Sequence, residues 1–432
     1  MTRFHLNAEL TITRLGQRGE GLARHEGAVL GVPYALPGET VRVEIDGERA
    51  RLVDVLQASP DRLPSFCRYF TNCGGCAVQT LAWPAYADWK RSLVLDALAR
   101  AHIETEVAPL VDAHGAGRRR VTYHSRVVDT GAGRKRLDLG FMQARAHKII
   151  TIDECPILDP AMKGSVEAAR DTATVLIPLD KPLDIVVTAT LEGLDVDVRG
   201  AGPLSFDYRQ ALITIAQRHD LARISNHGDT IIERRPPTLH MGRCVVVLPP
   251  GGFLQATQAG EDALAALVVE AMRGTKRVAD LFAGSGTFAL RLAETAEVHA
   301  LEGDPAAMLA LARGAGGAIG LRMVRTESRD LFVRPLIGGE LTRLDGLVFD
   351  PPRAGAEAQS RELATSKVPL VVAVSCNLQS FTRDARILID GGYVLEKVTP
   401  VDQFRHSAHV ELVAVFRRPA PVLTKRRGRL LG

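Results

Sequence analysis

Long apolar segments are missing from this 432-residue sequence. No uninterrupted apolar run approaches the ~20 residues of a membrane-spanning helix, and the opening MTRFHLNAEL lacks the apolar core of a secretory signal. Long internal repeats are also missing, as are low-complexity segments before the basic tail TKRRGRLLG. With 46% hydrophobic and 24% charged residues, the sequence predicts a soluble, globular, cytoplasmic protein.

A strong net charge is missing as well, since the formal charge is only +4. The basic residues nevertheless cluster, as in Arg118 to Arg120, in GRKR (133–136) and in the tail. Such clusters suit phosphates, but most charge runs are solvated faces. The charge pattern alone slightly favours a solvated face.

Cysteine is scarce and unevenly placed. Three of the six cysteines form the pattern C-x5-C-G-G-C at Cys67, Cys73 and Cys76, and Cys155 follows in DECPIL. A reducing compartment makes disulfides a poor explanation, so metal binding or catalysis is favoured. Glycines let the backbone wrap around thiolate ligands, which suits an iron–sulfur cluster. Zinc stays open as the alternative, although paired C-x2-C knuckles are more typical of it.

The chain is too long for one ordinary core, so two or three domains are expected. Residues 1–62 contain short alternating stretches broken by glycine, which predict a small antiparallel β-barrel that binds nucleic acid or only packs on its neighbour. Residues 63–240 are predicted as a mainly β central domain. It includes a helix at PAYADWKRSLVLDALARAH and a strand-like run at LITIAQRHDLARISN.

Residues 241–418 are predicted as an α/β domain, because helices and strands alternate from about residue 260, and residues 419–432 as a basic tail. This alternation predicts a doubly wound, mostly parallel sheet. Ligands of such sheets bind at the carboxyl ends of the strands, so residues just after strands are the candidates for a site.

The first candidate is the glycine loop of RVADLFAGSGTFAL, which leads from a strand through Gly284 and Gly286 into a predicted helix. Glu302 ends the next strand, where a carboxylate suits ribose hydroxyls. The loop also satisfies G-x-G-x-x-A, so the pair fits adenosine-containing ligands in general, NAD and S-adenosylmethionine alike. A surface glutamate before a turn is the alternative for Glu302.

A rigid acid and a thiol follow two further strands. Asp350 precedes two prolines that stiffen the turn, so its carboxylate is expected to face the same pocket. Cys376 lies where the apolar run VVAV stops, and Glu411 precedes the strand-like LVAVF. The thiol and the carboxylate could act as nucleophile and base, with His406 or His409 as alternative partners of the thiol.

On these motifs the sequence resembles the RNA uridine C5 methyltransferases, most closely the 23S ribosomal RNA members that carry an N-terminal TRAM domain and a [4Fe-4S] cluster. The resemblance covers almost the whole chain. It rests on the barrel, the cysteine motif with CPIL, and the stretches GGFLQATQAG, DLFAGSGTF, LEGDP, FDPPRAGA, SCN and HVE. It implies a TRAM-like RNA-binding barrel, a central domain carrying the cluster, and a Rossmann-like methyltransferase domain.

The resemblance also implies roles for individual residues. Cys376 falls on the nucleophile and Glu411 on the base. The cluster ligands would be Cys67, Cys73, Cys76 and Cys155, and the contacts to S-adenosylmethionine would be Gln255, Phe282, Thr287, Glu302, Asp330 and Asp350. Cys244 matches no motif and is expected in the core.

The implied reaction is methylation at C5 of a specific uridine in structured RNA, through a bond between Cys376 and C6 of uracil. The expected substrate of this monomeric enzyme is 23S rRNA, with tRNA as the alternative. Two other classes remain: an iron–sulfur oxidoreductase that uses a dinucleotide, motivated by the cysteines and the glycine loop, and a non-catalytic RNA-binding protein.

Overall fold

The computed structural model describes residues 6–131, 134–144, 146 and 148–419. Its amino-terminal part is a small barrel built from two three-stranded sheets, ordered β1-β5-β6 and β2-β3-β4. Alternate residues of the strands, such as Val41 and Val43, share one apolar core, as the period of two in a strand requires. The strands are β1 (Leu6–Thr11), β2 (Arg14–Leu15), β3 (Gly21–His25), β4 (Ala28–Val32), β5 (Thr40–Asp46) and β6 (Arg49–Gln57).

Helix α1 (Trp83–Arg100) joins the barrel to the rest of the molecule. Its buried residues recur at helical spacing: Trp89 and Leu93 pack with barrel residues, and Val94 and Leu98 pack into the carboxyl-terminal core. The strands β7 (Glu106–Val107) and β8 (Val111–Asp112) follow it and pair with a strand of the carboxyl-terminal sheet. Part of the predicted central domain therefore joins that sheet, and the predicted domain boundaries stay predictions.

The central sheet has the order β11-β10-β9-β12-β13-β14-β15. Helices α2 (Ser165–Val175) and α3 (Phe206–Arg218) and two short 3-10 turns (Pro160–Met162 and Ile177–Leu179) accompany it. Its strands are β9 (Arg120–Asp129), β10 (Lys135–Met142), β11 (Ile149–Thr151), β12 (Leu183–Thr190), β13 (Gly193–Arg199), β14 (Arg223–Asn226) and β15 (Asp229–Glu233).

The strand prediction for LITIAQR was wrong, because these residues lie in α3. The β-branched run alone favours a strand, but Leu212, Ile215 and Ala216 are the buried positions, which is helical spacing. A hairpin of β16 (Thr238–Met241) and β17 (Cys244–Val247) follows the central sheet. Cys244 is fully buried in the core, as expected.

The carboxyl-terminal region is a doubly wound α/β fold, as predicted. Its sheet has the order β20-β19-β18-β21-β22-β24-β23-β7, and β18 to β22 are parallel. The strands are β18 (Arg277–Leu281), β19 (Glu297–Glu302), β20 (Val324–Ser328), β21 (Gly346–Phe349), β22 (Leu370–Ser375), β23 (Val394–Asp402) and β24 (Glu411–Arg417). The helices are α4 (Gln258–Ala271), α5 (Ala289–Leu292), α6 (Pro305–Gly317), α7 (Gly338–Leu341), α8 (Glu357–Thr365) and α9 (Leu378–Asp390).

This topology brings the predicted site residues to one edge of the sheet. Parallel strands end at the same edge, so the residues after β18, β19, β21 and β22 meet there. Strand β24 runs antiparallel to β22, with Ser375 opposite Leu412, so its first residue, Glu411, starts where β22 ends. The thiol and the carboxylate are therefore brought together by strand direction.

In the part of the chain that the structure describes, no helix is both long and apolar enough to cross a membrane. The predicted basic tail (419–432) lies outside the described residues except for Pro419.

Candidate active site

A cavity of about 340 Å³ opens at this edge of the sheet. The structure brings together around it every residue predicted for methyl-donor binding and for catalysis. These lining residues are Gln255, Phe282, Thr287, Glu302, Asp330, Asp350, Cys376 and Glu411. The predicted residues therefore lie around one cavity, while the site and the role of each residue stay predictions.

The glycine loop is fastened to Glu302. The N–H of Gly284 donates to Oε2 of Glu302 at 3.0 Å, and the N–H of Asp304 donates to Oε1 at 2.9 Å. Each carboxylate oxygen accepts more than one hydrogen bond, so Glu302 retains capacity for a ligand. The helix after the loop, α5, is short and covers only Ala289–Leu292.

Two aromatic rings form an apolar wall of the cavity. The centroids of Phe282 and Phe332 lie 5.4 Å apart, which is a favourable aromatic contact. Oδ1 of Asp330 accepts the N–H of Phe332 at 2.9 Å, so the carboxylate fixes the loop that carries this ring. Phe253 also lines the cavity with 71% of its surface exposed, and it was not singled out from the sequence.

Burial dominates the electrostatics of the two acids in the cavity. It raises the pKa of Asp350 to about 7, against a lowering by a hydrogen bond from Gln255. Burial, and then repulsion from Asp350, raises the pKa of Glu411 to about 8. Lys90 and Arg353 oppose that rise. Both acids therefore change protonation state near neutral pH.

Cys376 lies in a turn built by its two polar neighbours. Oδ1 of Asn377 caps α9 by accepting the N–H groups of Gln379 and Ser380, each at 3.0 Å. The N–H of Asn377 donates to Oγ of Ser375 at 3.3 Å. Burial, followed by repulsion from Glu411 and Asp350, raises the pKa of the thiol to about 11.

A buried glutamine that the sequence reasoning missed connects the acids. Nε2 of Gln403 donates to Oε1 of Gln255 at 2.6 Å and to Oε1 of Glu411 at 3.3 Å. Nε2 of Gln255 in turn donates to Oδ2 of Asp350 at 3.1 Å. No sequence pattern singles out Gln403. Its contacts form only when the chain turns back between β23 and β24.

The two histidines considered as partners of the thiol are placed differently from Glu411. Among the described residues that line the cavity, neither His406 nor His409 appears. His406 lies against the ring of Phe66, with centroids 5.2 Å apart, and burial lowers its pKa to about 4. Nη2 of Arg353 approaches Nδ1 of His409 at 3.3 Å. The geometry therefore favours Glu411.

Arg119 and Arg120 of the basic run make internal contacts, so the solvated face that the charge pattern favoured was wrong for these two residues. Arg119 is 4% exposed, pairs with Glu261 and donates from Nε to the carbonyl oxygen of Gln255 at 3.2 Å. Arg120 donates from Nη2 to the carbonyl oxygen of Gly251 at 3.1 Å. The first strand of the central sheet thus holds the loop that carries Gln255.

The four cysteines predicted as cluster ligands surround a second cavity of about 610 Å³, between the barrel and the central sheet. Burial raises the pKa of Cys73 and Cys76, and raises that of Cys155 to about 12. The N–H of Gly75 donates to Sγ of Cys73 at 3.4 Å. Among the described residues, however, no group of three or more His, Cys, Asp or Glu side chains is arranged to hold a metal ion.

Comparisons with known proteins identify the family. A model of the TRAM domain matches residues 8–50. A Brucella suis protein named as an uncharacterized RNA methyltransferase is 46% identical, over 94% of this chain and 97% of its own length. The 23S rRNA (uracil(1939)-C(5))-methyltransferase RlmD of Chromohalobacter salexigens is 33% identical, over 95% of this chain and 90% of its own length. This chain belongs to the RNA uracil-C5 methyltransferases.

The fold of the methyltransferase matches a solved structure. The Pyrococcus abyssi tRNA (uracil-54, C5)-methyltransferase, in complex with S-adenosyl-L-homocysteine, superposes with a TM-score of 0.70 at 23% identity. The match covers 94% of this chain and 99% of that chain. The TRAM match and the named relatives confirm the resemblance to the RNA uracil-C5 methyltransferases and the assignment as an RNA methyltransferase, so the oxidoreductase alternative was wrong. The [4Fe-4S] cluster that the resemblance implied stays a prediction.

Proposed function

We propose that this methyltransferase transfers a methyl group from S-adenosylmethionine to C5 of one uridine in structured RNA. The observation that carries the proposal is the convergence of Cys376 and Glu411 on the cavity beside the glycine loop. Methylation of a nitrogen or oxygen atom uses a lone pair that is already present. C5 of uracil has none, so its methylation requires both a nucleophile and a base.

The cavity suits S-adenosylmethionine in size and chemistry. Its volume of about 340 Å³ lies within the range of small-molecule sites. Phe282 offers an apolar face for adenine, and the carboxylates of Glu302 and Asp330 suit hydroxyl and amino groups. Gln255, Thr287 and Asp350 complete the set of proposed contacts. When bound, S-adenosylmethionine supplies an electrophilic methyl group.

The chain's own residues supply the rest of the proposed chemistry. The Cys376 thiolate adds to C6 of uracil, which forms a C6–S bond and moves electron density to C5. After C5 is methylated, Glu411 accepts the C5 proton. The C5–H electron pair then restores the C5–C6 double bond, and the C6–S pair returns to Cys376. A pKa of about 8 suits a carboxylate that must accept and later release a proton.

We propose 23S rRNA as the substrate, supported by the name of the relative that is 33% identical over 95% of this chain. Glu411 is only 4% exposed, so the target base would have to be flipped out or already unstacked to reach it. The TRAM barrel would contribute to RNA binding. The cytoplasmic location and the monomeric state inferred from the sequence stay predictions.

Replacing Cys376 with alanine tests the mechanism. We expect Cys376→Ala to abolish 5-methyluridine formation and the covalent complex with 5-fluorouridine RNA, whereas the core variant Cys244→Ala keeps both. Mapping 5-methyluridine in rRNA and tRNA from a deletion strain identifies the substrate. Unchanged modification by purified Cys376→Ala would refute the mechanism, and a missing site in tRNA alone would assign tRNA.

We also propose that the four cysteines hold a [4Fe-4S] cluster. Their common cavity and the N–H···S contact of Gly75 support this, although among the described residues no group of three or more His, Cys, Asp or Glu side chains is arranged to hold a metal ion. When bound, the cluster would link the cysteine loop to the central sheet. Burial keeps the thiols of Cys73, Cys76 and Cys155 protonated at neutral pH, so binding of the cluster must release protons.

Anaerobic purification tests the cluster directly. We expect about four iron and four sulfide per chain in the wild type, and loss of both in Cys155→Ser but not in Cys244→Ser. One zinc per chain without sulfide would support the zinc alternative instead.

A further inference from the structure

Gln403 is held in one amide orientation by its surroundings. It is 1% exposed, and its Oε1 accepts the N–H of Ala256 at 2.8 Å. A backbone N–H can only donate, so the oxygen of the amide must face Ala256. The NH₂ group is therefore directed to its two other partners, Gln255 and Glu411.

The close packing of α4 reinforces this position. A Cβ built on Gly260 would lie 2.7 Å from both Cβ and Oε1 of Gln403, so only glycine allows α4 to approach. With Gln403 fixed, Oε1 of Gln255 accepts from it, and the NH₂ of Gln255 must then face Asp350. The two amides are thus hydrogen-bonded to each other, and each donates to one buried acid: Gln403 to Glu411, and Gln255 to Asp350.

We propose that Gln403 is a positioning residue that orients Glu411 for removal of the C5 proton and joins it to Gln255 and Asp350. This inference rests on the proposed function. Gln403 is outside the set of described residues that line the cavity, so it acts through Glu411. In the step that it serves, the C5–H bond breaks, the proton moves to Glu411, and the C6–S bond breaks to release the Cys376 thiolate.

The amide also favours the ionised form of Glu411, which is the form that accepts a proton. The charged groups that act on Glu411 are Asp350, Lys90 and Arg353, and the titratable thiol of Cys376 also lies near it. Asp350 opposes ionisation of Glu411, whereas Lys90 and Arg353 favour it. Loss of the Gln403 donor therefore raises the pKa of Glu411, and proton removal should require a higher pH.

Gln403→Met tests the proposal because it keeps the volume and removes the amide. Rapid-quench kinetics would follow one turnover of the whole enzyme with RNA and S-adenosylmethionine. We expect release of the methylated adduct to slow on the order of 10- to 100-fold, by a larger factor than methyl transfer, with its pH profile moved to higher pH.

Gln359→Met is the matched control. Gln359 is also 1% exposed and its amide makes two hydrogen bonds to Leu336, away from the cavity. We expect it to lower stability without slowing adduct release. If the Gln403→Met variant does not fold, the Gln403→Asn variant replaces it. Its shorter side chain withdraws the amide from Glu411, so release of the methylated adduct should be slow in this variant as well.

If a folded Gln403 variant releases the adduct at the wild-type rate and with the wild-type pH profile, this inference is overturned and the proposed function still stands. A wild-type enzyme that forms neither adduct nor 5-methyluridine would overturn the proposed function together with it.

Discussion

Cys376 meets two opposing requirements at the scale of the single residue. Addition to uracil needs a thiolate, but burial and the neighbouring acids raise the pKa of the thiol to about 11. At neutral pH the raised pKa favours the protonated thiol in the free enzyme. Arg353 and a backbone hydrogen bond lower this pKa, so Arg353 and Glu411 act on the thiol in opposite directions within the larger effect of burial.

Replacing Glu411 should increase the reactivity of the thiol, and replacing Arg353 should decrease it. Glu411→Gln removes a repulsion, so the pKa of Cys376 falls and alkylation by iodoacetamide at pH 8 should accelerate on the order of tenfold, the effect of one pKa unit. Arg353→Met removes an attraction and should slow alkylation. Mass spectrometry of the peptide that contains Cys376 gives both rates, and equal rates in the two variants would contradict this account.

At the scale of the element, the glycine loop after β18 contains two glycines that differ in the space available for an added Cβ. Gly284 has φ +55°, and a Cβ there would meet nothing within 4 Å. Gly286 has φ +110°, and its Cβ would lie 2.8 Å from two carbon atoms of the buried Leu290. The second glycine therefore determines how closely the loop packs on the core.

The two alanine variants should differ accordingly. Gly284→Ala adds the cost of a left-handed backbone and should lower the free energy of unfolding by about 1 kcal/mol. Gly286→Ala adds overpacking in a rigid core as well and should lower the free energy of unfolding by about 2–4 kcal/mol. Urea denaturation measures both losses. Equal losses in both variants would show that the contact with Leu290 has no consequence.

The elements of the site were predictable because their positions follow from local pattern. Glu302, Asp350 and Cys376 each end an apolar run, and parallel strands carry such ends to one edge. Lys90 was missed because its partner Asp402 lies far away in the chain, and Gln403 because Gln255 and Ala256, which orient its amide, also lie far away. Helix α3 was misread because the run LITI favours a strand in isolation, and only its packing reveals a helix.

At the scale of the whole molecule, one buried ion pair fastens α1 to the loop before Glu411. Nζ of Lys90 lies 2.9 Å from Oδ1 of Asp402, and both side chains are fully buried. Lys90 also donates to the carbonyl oxygen of His409, and the hydroxyl of Tyr86 donates to Oδ2 of Asp402 at 2.8 Å. Residues more than 300 positions apart in sequence thus hold the loop between β23 and β24 in place.

Lys90→Met should uncouple α1 from that loop. An unpaired buried carboxylate costs about 3–5 kcal/mol, and Lys90→Met/Asp402→Asn should recover part of that loss because no charge is left unpaired. Both tryptophans of the chain, Trp83 and Trp89, lie on α1, so their fluorescence during urea denaturation reports its detachment.

The control variant Lys397→Met breaks an exposed pair with Glu106 between β23 and β7 and should lower the free energy of unfolding by no more than about 1 kcal/mol. An equally small loss for Lys90→Met would mean that the apolar contacts of α1 hold it without the ion pair.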